Sequence, residues 1–223
     1  EEILSNDSSI LFMMKKNVIV FDLDDTLVDG QAFCGEVMVR TITKYQHDIN
    51  RNSILAHHDS VRGRTIVDLY ESAKKKFGLT TTVKELVETD ADIMLRDCYK
   101  ITPFEGVRET LKHLRAKDKK LVICTNRKSD SLIAILKHNN LLHYFDEVIS
   151  CVDAGYEKPD PKCLNDLVKR SGLSRENFLY FGDSEKDYRF AKNAGVECMI
   201  FDQYLNGGQL FVNLNMSFLQ ADI

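Results

Sequence analysis

The feature that most constrains this chain is Val18-Ile-Val-Phe-Asp-Leu-Asp-Asp-Thr-Leu-Val28, an apolar, β-branched run that ends abruptly in three carboxylates and a hydroxyl. An uninterrupted apolar run fits a strand buried on both faces, as in a parallel sheet. Its acids then fall where the strand leaves the sheet, the end at which open α/β sheets bind ligands. Asp22 and Asp24 are one residue apart, and in extended chain their side chains project to the same side. Two negative charges that close are costly unless a cation joins them or one takes a proton. The stretch therefore points to a cation-assisted site rather than to an acidic, solvated turn.

After Asp29-Gly30 the character changes. From Gln31 to about Tyr99 the period is helical and proline is absent. Phe33, Val37, Thr41 and Tyr45 form one stripe, and Ile66, Leu69, Ala73 and Phe77 a second, with Gly78 placed as a C-terminal cap. Thr82-Val-Lys-Glu85 is a capping-box signature that opens a third helix. Thr102-Pro103 then returns the chain to a pattern of alternating strands and helices. Strands are expected at Lys120–Thr125, Glu147–Cys151, Asn177–Phe181 and Val196–Phe201, with helices at Ser129–His138, Pro161–Ser171 and Ser184–Ala194. Such alternation implies an α/β fold: a Rossmann-like parallel sheet with helices on both faces, plus an inserted all-α unit. The expected divisions are a lead at 1–15, a discontinuous α/β core at 16–30 and 100–212, a helical insertion at 31–99 and a tail at 213–223. The chain opens on Glu rather than Met and trails off through Gly207-Gly208 into apolar residues, so a trimmed piece of a longer protein is expected.

Composition narrows the class. At 43% hydrophobic the 223 residues can bury a substantial core. A net charge of −4 argues against nucleic-acid binding. No apolar stretch is long enough to span a bilayer, and the first residues lack the basic and apolar regions of a signal peptide. The six cysteines form no CxxC pair, which reads as reduced, packed thiols in a cytoplasmic protein without a zinc site.

The strand ends carry the chemistry. The first gives Asp22, Asp24 and Thr26; the second Thr125-Asn126; the third is followed by Glu157-Lys158-Pro-Asp-Pro161; the fourth gives Gly182-Asp183-Ser-Glu-Lys-Asp187. Each alone is an ordinary turn, cap or solvated residue. Their agreement in order, at successive strand ends, implies one pocket.

This set resembles the haloacid dehalogenase superfamily of phosphohydrolases, in the subgroup of phosphoglycolate-phosphatase-like and β-phosphoglucomutase-like enzymes that carry a helical cap after the first strand. Asp22-Leu-Asp-Asp-Thr-Leu27 is similar to its first motif, Thr125 to the second, Lys158 to the third and Gly182–Asp187 to the fourth. Asp25 stands where many relatives have Gly, which reads as a tolerated variant in the turn. The resemblance implies a Mg²⁺-dependent phosphatase acting through an aspartyl-phosphate. It makes Asp22 the nucleophile and Asp24 the acid, then base. Asp22, Asp183 and the Asp24 carbonyl would ligate the metal, with Asp187 in support. Thr125 and the Asn126 amide would bind the phosphoryl oxygens, and Lys158 would offset charge. Members that cleave carbon–halogen bonds lack the acid at the Asp24 position, so its presence favours phosphoryl transfer.

In the insertion, Arg62 and Arg64 flank a glycine and are candidates to meet an anionic substrate. Lys74-Lys-Lys76 reads as a helix's outer face and His57-His58 as a surface pair. The substrate is open at this point between a phosphorylated small molecule and a phosphoprotein, including phosphotyrosine. Alternatives are a phosphomutase acting on sugar phosphates and a non-catalytic phosphate-binding module.

Overall fold

The computed structural model describes residues 13–61, 65–201 and 211–212. The chain forms two compact units, one of Glu1–Asp29 with Thr102–Ile223 and one of Gly30–Ile101.

The first unit is built on a five-stranded sheet of β1 (Val18–Phe21), β2 (Lys120–Thr125), β3 (Glu147–Ser150), β4 (Phe178–Gly182) and β5 (Glu197–Ile200). The order is β3-β2-β1-β4-β5 and every pairing is parallel. All of β1 is buried, so it sits in the middle of the sheet as its composition requires. Val18, Val20, Val122, Cys124, Phe178 and Tyr180 face one way and pack with Leu164, Leu167 and Val168 of α7 (Lys162–Ser171) and Phe190 of α8 (Glu185–Asn193). The alternate residues Ile19, Phe21, Leu121, Ile123, Leu179 and Phe181 are buried on the opposite face. Helices α5 (Val107–Ala116) and α6 (Ser129–His138) complete this unit among the described residues. With β1 between β2 and β4, the carboxyl ends of three adjacent strands open onto one place.

The loop after β1 is short and self-bonded. Leu27 and Val28 both donate to the Leu23 carbonyl, at 2.9 and 3.1 Å, and Asp25 donates to Val28 at 2.8 Å. Asp25 closes this turn in the left-handed region, at φ 56°, a conformation that a Cβ makes costly and that Asp tolerates better than most. That is the physical reason glycine suits this position.

Among its described residues the second unit holds four α-helices, α1 (Gly30–Tyr45), α2 (Arg51–Ser60), α3 (Ile66–Phe77) and α4 (Val83–Asp97), and a short 3-10 turn at Cys98–Lys100. Its core joins Met38, Val39 and Ile42 of α1 to Ile54, Tyr70, Ala73, Leu79 and Leu86. Gly78 caps α3 at φ 65°, and the Thr82–Glu85 capping box forms at the start of α4, both as the sequence indicates. Helix α2 is an element the periodicity did not separate. Its apolar side is narrow, and the side chain of Asn50 defines its start by accepting from Asn52 and Ser53. Two details of the stripes differ. Ile66 is 42% exposed, whereas Tyr70, four residues on, is fully buried and donates to Asp90 at 2.6 Å.

The histidine pair is also corrected: His57 and His58 are both buried. His57 sits edge-on to Phe77, with ring centroids 5.5 Å apart. His58 comes within 3.5 Å of where a Cβ would be on Gly35. These rings fill space between helices, which pairs of adjacent polar letters do not reveal. Lys74 of the lysine run does not simply point outward either, since its ammonium donates to the carbonyls of Leu79 and Thr81 at 2.7 and 2.6 Å.

Candidate active site

At the carboxyl end of the sheet lies an open cavity of about 510 Å³. It is lined by all seven core residues named from the sequence, namely Asp22, Asp24, Thr125, Asn126, Lys158, Asp183 and Asp187. Arg62 and Arg64 lie outside the described residues.

Each side chain is held by the end of an element. Asp22 is the first residue beyond β1, and its N–H donates to the Phe181 carbonyl of β4 at 2.8 Å. Thr125 ends β2, and its hydroxyl accepts from the Arg127 N–H at 3.3 Å. Asn126 follows, and its side-chain oxygen accepts from the Lys158 N–H at 2.9 Å. This bond ties the loop after β3 to the end of β2. Asp183 follows β4, with the Thr26 hydroxyl 3.5 Å from its carboxylate. Asp187 sits in the first turn of α8 and forms a reciprocal cap with Ser184. Gly182 makes this possible. A Cβ there would lie 2.4 Å from the Asp187 Cβ, so only glycine lets α8 start so close to the strand.

Lys158 is the hub. Its ammonium is buried and donates to Asp22 at 2.7 Å, to Asp187 at 2.8 Å and to the Tyr180 hydroxyl at 2.6 Å. All three of its donors are thereby used. Burial alone would lower the lysine's pKa, but the charges of Asp22 and Asp187 push it above its ordinary value. Tyr180 also lies 2.9 Å from Asp187 and so braces the pair from beneath.

The carboxylates do not reach balance. Burial, followed by the neighbouring charges of Asp22, Asp187 and Asp25, drives Asp183 up to about 8. Asp22 is raised to about 6, chiefly by burial, with Lys158 opposing. Asp187 moves the other way: burial disfavours its charge, but Lys158, Ser184 and Tyr180 together hold its pKa below the ordinary value. Oxygens of Asp22, Asp183 and Asp187 come within 4.8 Å of one another. Three hard oxygen donors with residual negative charge fit a hard divalent cation. Asp25 proves more than a turn variant, because its charge adds to the pressure on Asp183.

Asp24 is placed differently from the other acids. It turns to Arg127, which holds it through two parallel bonds, Nε to Oδ2 at 2.8 Å and Nη2 to Oδ1 at 2.6 Å. Arg127, Lys128 and Lys186 all line the cavity, and none was singled out from the sequence. The available signal was position: Arg127 directly follows the Thr125-Asn126 strand end. Tyr180 was hidden because it sits in an apolar strand and reads as core.

This fold and site define a class, parallel-sheet α/β proteins with an acidic centre at the end of the first strand, and comparison with known proteins supplies the family. Residues 19–201 match the haloacid dehalogenase-like hydrolases, and the chain belongs to that family. A phosphoglycolate phosphatase of Vibrio cholerae is 32% identical over 120 residues, covering 54% of this chain and 53% of that protein. Pyrophosphatase PpaX of Halalkalibacterium halodurans is 26% identical over 196 residues, 87% of each chain. Among solved structures, a subfamily IA hydrolase of the same superfamily from Geobacter sulfurreducens superposes with a TM-score of 0.69 at 22% identity, covering 83% of this chain and 87% of that one. No described helix is long and apolar enough to cross a membrane.

Proposed function

We propose that this chain is a Mg²⁺-dependent phosphatase that hydrolyses a small phosphorylated substrate through an aspartyl-phosphate on Asp22. The observation that carries this reading is the incomplete charge balance around Asp22, Asp183 and Asp187, where the buried Lys158 pairs with two of the three acids. A phosphate ester is anionic and repels nucleophiles, so such a site needs cations and placement more than a strong base. Asp22, Asp183, Asp187 and the Asp24 carbonyl would hold the metal, which supplies positive charge to the phosphoryl oxygens when bound.

The chain's own groups do the rest. Lys158 holds Asp22 in place by a hydrogen bond and opposes its protonation. The Thr125 hydroxyl and the Asn126 amide orient the phosphoryl group. An Asp22 oxygen bonds to phosphorus as the bond to the leaving oxygen breaks, and Asp24 gives that oxygen its proton. Water then attacks phosphorus, Asp24 takes the proton, and phosphate leaves with Asp22 restored. The helical unit is inserted in the chain directly after this loop, the place in the sequence at which a cap would be inserted. The relatives' names favour a small phosphorylated compound over a phosphoprotein.

The test is release of inorganic phosphate from an aryl phosphate with and without Mg²⁺, in wild type and Asp22→Asn. Expected is Mg²⁺-dependent turnover that falls about 10⁴-fold or more in the variant. Undiminished activity in Asp22→Asn, or full turnover in excess chelator, would overturn it. Free phosphate rather than an isomerised sugar phosphate as product separates hydrolysis from mutase chemistry.

A further inference from the structure

Tyr180 sits among the reacting groups without being one of them. It is fully buried on β4, and its backbone is paired on both sides, opposite Val20 of β1 and Cys198 of β5. Its ring meets Phe190 of α8 nearly edge-on, with centroids 5.3 Å apart. The side chain therefore has little freedom, and a hydroxyl buried this deeply needs partners. They come from three separate segments. The Lys158 ammonium donates to the hydroxyl at 2.6 Å. The hydroxyl's own proton is shared between the Asp187 carboxylate at 2.9 Å and the Cys124 carbonyl at 3.2 Å. Cys124 directly precedes Thr125. One oxygen thus ties together the strand end that presents Thr125, the helix start that presents Asp187 and the loop that presents Lys158.

Lys158 is the group that needs this tether. It lies outside the sheet, in the loop after β3, and reaches its partners through a flexible stem. Two of those partners are carboxylates, Asp22 at 2.7 Å and Asp187 at 2.8 Å, and they do not stay equivalent during the reaction. When an Asp22 oxygen bonds to phosphorus, the carboxylate becomes a neutral acyl group and its charge departs on the leaving oxygen. Asp187 keeps its charge. An ammonium held by the two acids alone would then be drawn toward Asp187, away from Asp22 and the phosphoryl group. The Tyr180 hydroxyl is neutral, fixed by the sheet and the same at every step. It is the partner that can hold Lys158 in place while Asp22 changes.

We propose that Tyr180 is a positioning residue: its hydroxyl pins the Lys158 ammonium beside Asp22 while the aspartyl-phosphate forms and breaks down. This rests on the phosphatase reading above. It adds to that reading a residue inside an apolar strand that touches no substrate and acts through Lys158. A Phe at this position would fill the same space, but it would leave one ammonium donor without its acceptor and the lysine with two tethers in place of three. The tether matters most once Asp22 carries the phosphoryl group, so its loss lowers kcat without raising KM. A tyrosine that served only to pack the sheet would not act through one particular lysine.

The experiment is a double-mutant cycle on the hydrolysis of p-nitrophenyl phosphate in Mg²⁺, with wild type, Tyr180→Phe, Lys158→Met and the double variant. Thermal melts confirm that each protein folds. In the wild-type background Tyr180→Phe is expected to lower kcat about 20-fold, with KM no higher than before. In the Lys158→Met background the same change is expected to alter kcat by less than about threefold, because the residue through which Tyr180 acts is gone. A structural role alone would give the same factor in both backgrounds, so equal factors overturn the proposal. A folded Tyr180→Phe protein whose kcat stays within about threefold of wild type also overturns it, and so does a loss confined to KM. If Tyr180→Phe does not fold, Tyr180→His, which keeps a ring nitrogen as acceptor, decides in the same two backgrounds by the same criterion. Hydrolysis with equal factors removes only this proposal. A wild type that releases no phosphate removes the phosphatase reading, and this proposal with it.

Discussion

Two acidic sites in this molecule, the single Asp97 and the group of Asp22, Asp183 and Asp187, differ in kind. In the helical unit, Asp97 is buried and meets Arg40 and Lys100 at 2.8 Å each and Arg96 at 3.3 Å. One carboxylate has three cations, and hydrogen bonds from Lys100 and Arg40 first hold its pKa well below the usual range. In the α/β unit, Asp22, Asp183 and Asp187 have one buried cation among them, and Lys158 bonds only two of the three. There the pKa values of Asp22 and Asp183 move up, to about 6 and about 8. A cluster whose charge is fully paid for internally serves the fold. A cluster left short of positive charge is poised to take a cation or a proton, and it is the one that faces a cavity.

The comparison breaks most visibly at Lys158. Replacing it by Met leaves two buried carboxylates without their partner, and breaking a buried pair this way costs about 3–5 kcal/mol. Catalysis should fall further, by about 10²–10³ in kcat, because the phosphoryl group loses its nearest fixed positive charge. Steady-state kinetics with urea melts of the same Lys158→Met protein check both. A variant that stays within tenfold of wild type in kcat would place Lys158 in the structural class with Arg40 and Lys100.

The second way to sharpen the contrast is pH. The folded protein holds protons on Asp22 and Asp183 up to about 6 and about 8, whereas an unfolded carboxyl releases its proton near 3.8. Between these values the folded state binds more protons than the unfolded state, so stability of the metal-free protein declines as pH rises through that window. A divalent cation competes with those protons and stabilises the ionised cluster. In chelator, Tm should therefore fall from pH 5 to pH 8, and the rise in Tm on adding Mg²⁺ should grow over the same range. A Mg²⁺ effect that is the same at pH 5 and pH 8 would contradict the assignment.

These differences also explain what could be read in advance. The sheet and its site were legible because a buried parallel strand leaves a simple signature and forces polar residues to its end. Ser129–His138 and Lys120–Thr125 fall where the pattern places them. The seven core residues share one cavity because adjacent strand ends are neighbours in space. The helical unit was less legible. His57 and His58 are interior because of what α1 and α3 put beside them, information that no local window holds. Arg127 was missed for a related reason: its significance lies in a pair with Asp24 across 103 residues of chain, not in its own type.

The smallest expected effect is at Asp97, and it tests the other half of the comparison. Asp97→Asn keeps the shape and removes the charge that three cations share. Those cations are half-exposed at their ends, with 37%, 62% and 50% of the Arg40, Arg96 and Lys100 side chains open to solvent, so water takes over much of their solvation. The protein should lose a few degrees of Tm near neutral pH, and the difference should shrink as pH falls and the wild-type carboxylate, whose pKa is held low, takes up a proton. Asp97 is not among the residues that line the cavity, so kcat and the Mg²⁺ requirement should stay at wild-type values. A change in Mg²⁺ affinity in Asp97→Asn would mean that a saturated cluster still reaches the unsaturated one, and that internal charge balance is not what separates structure from site in this chain.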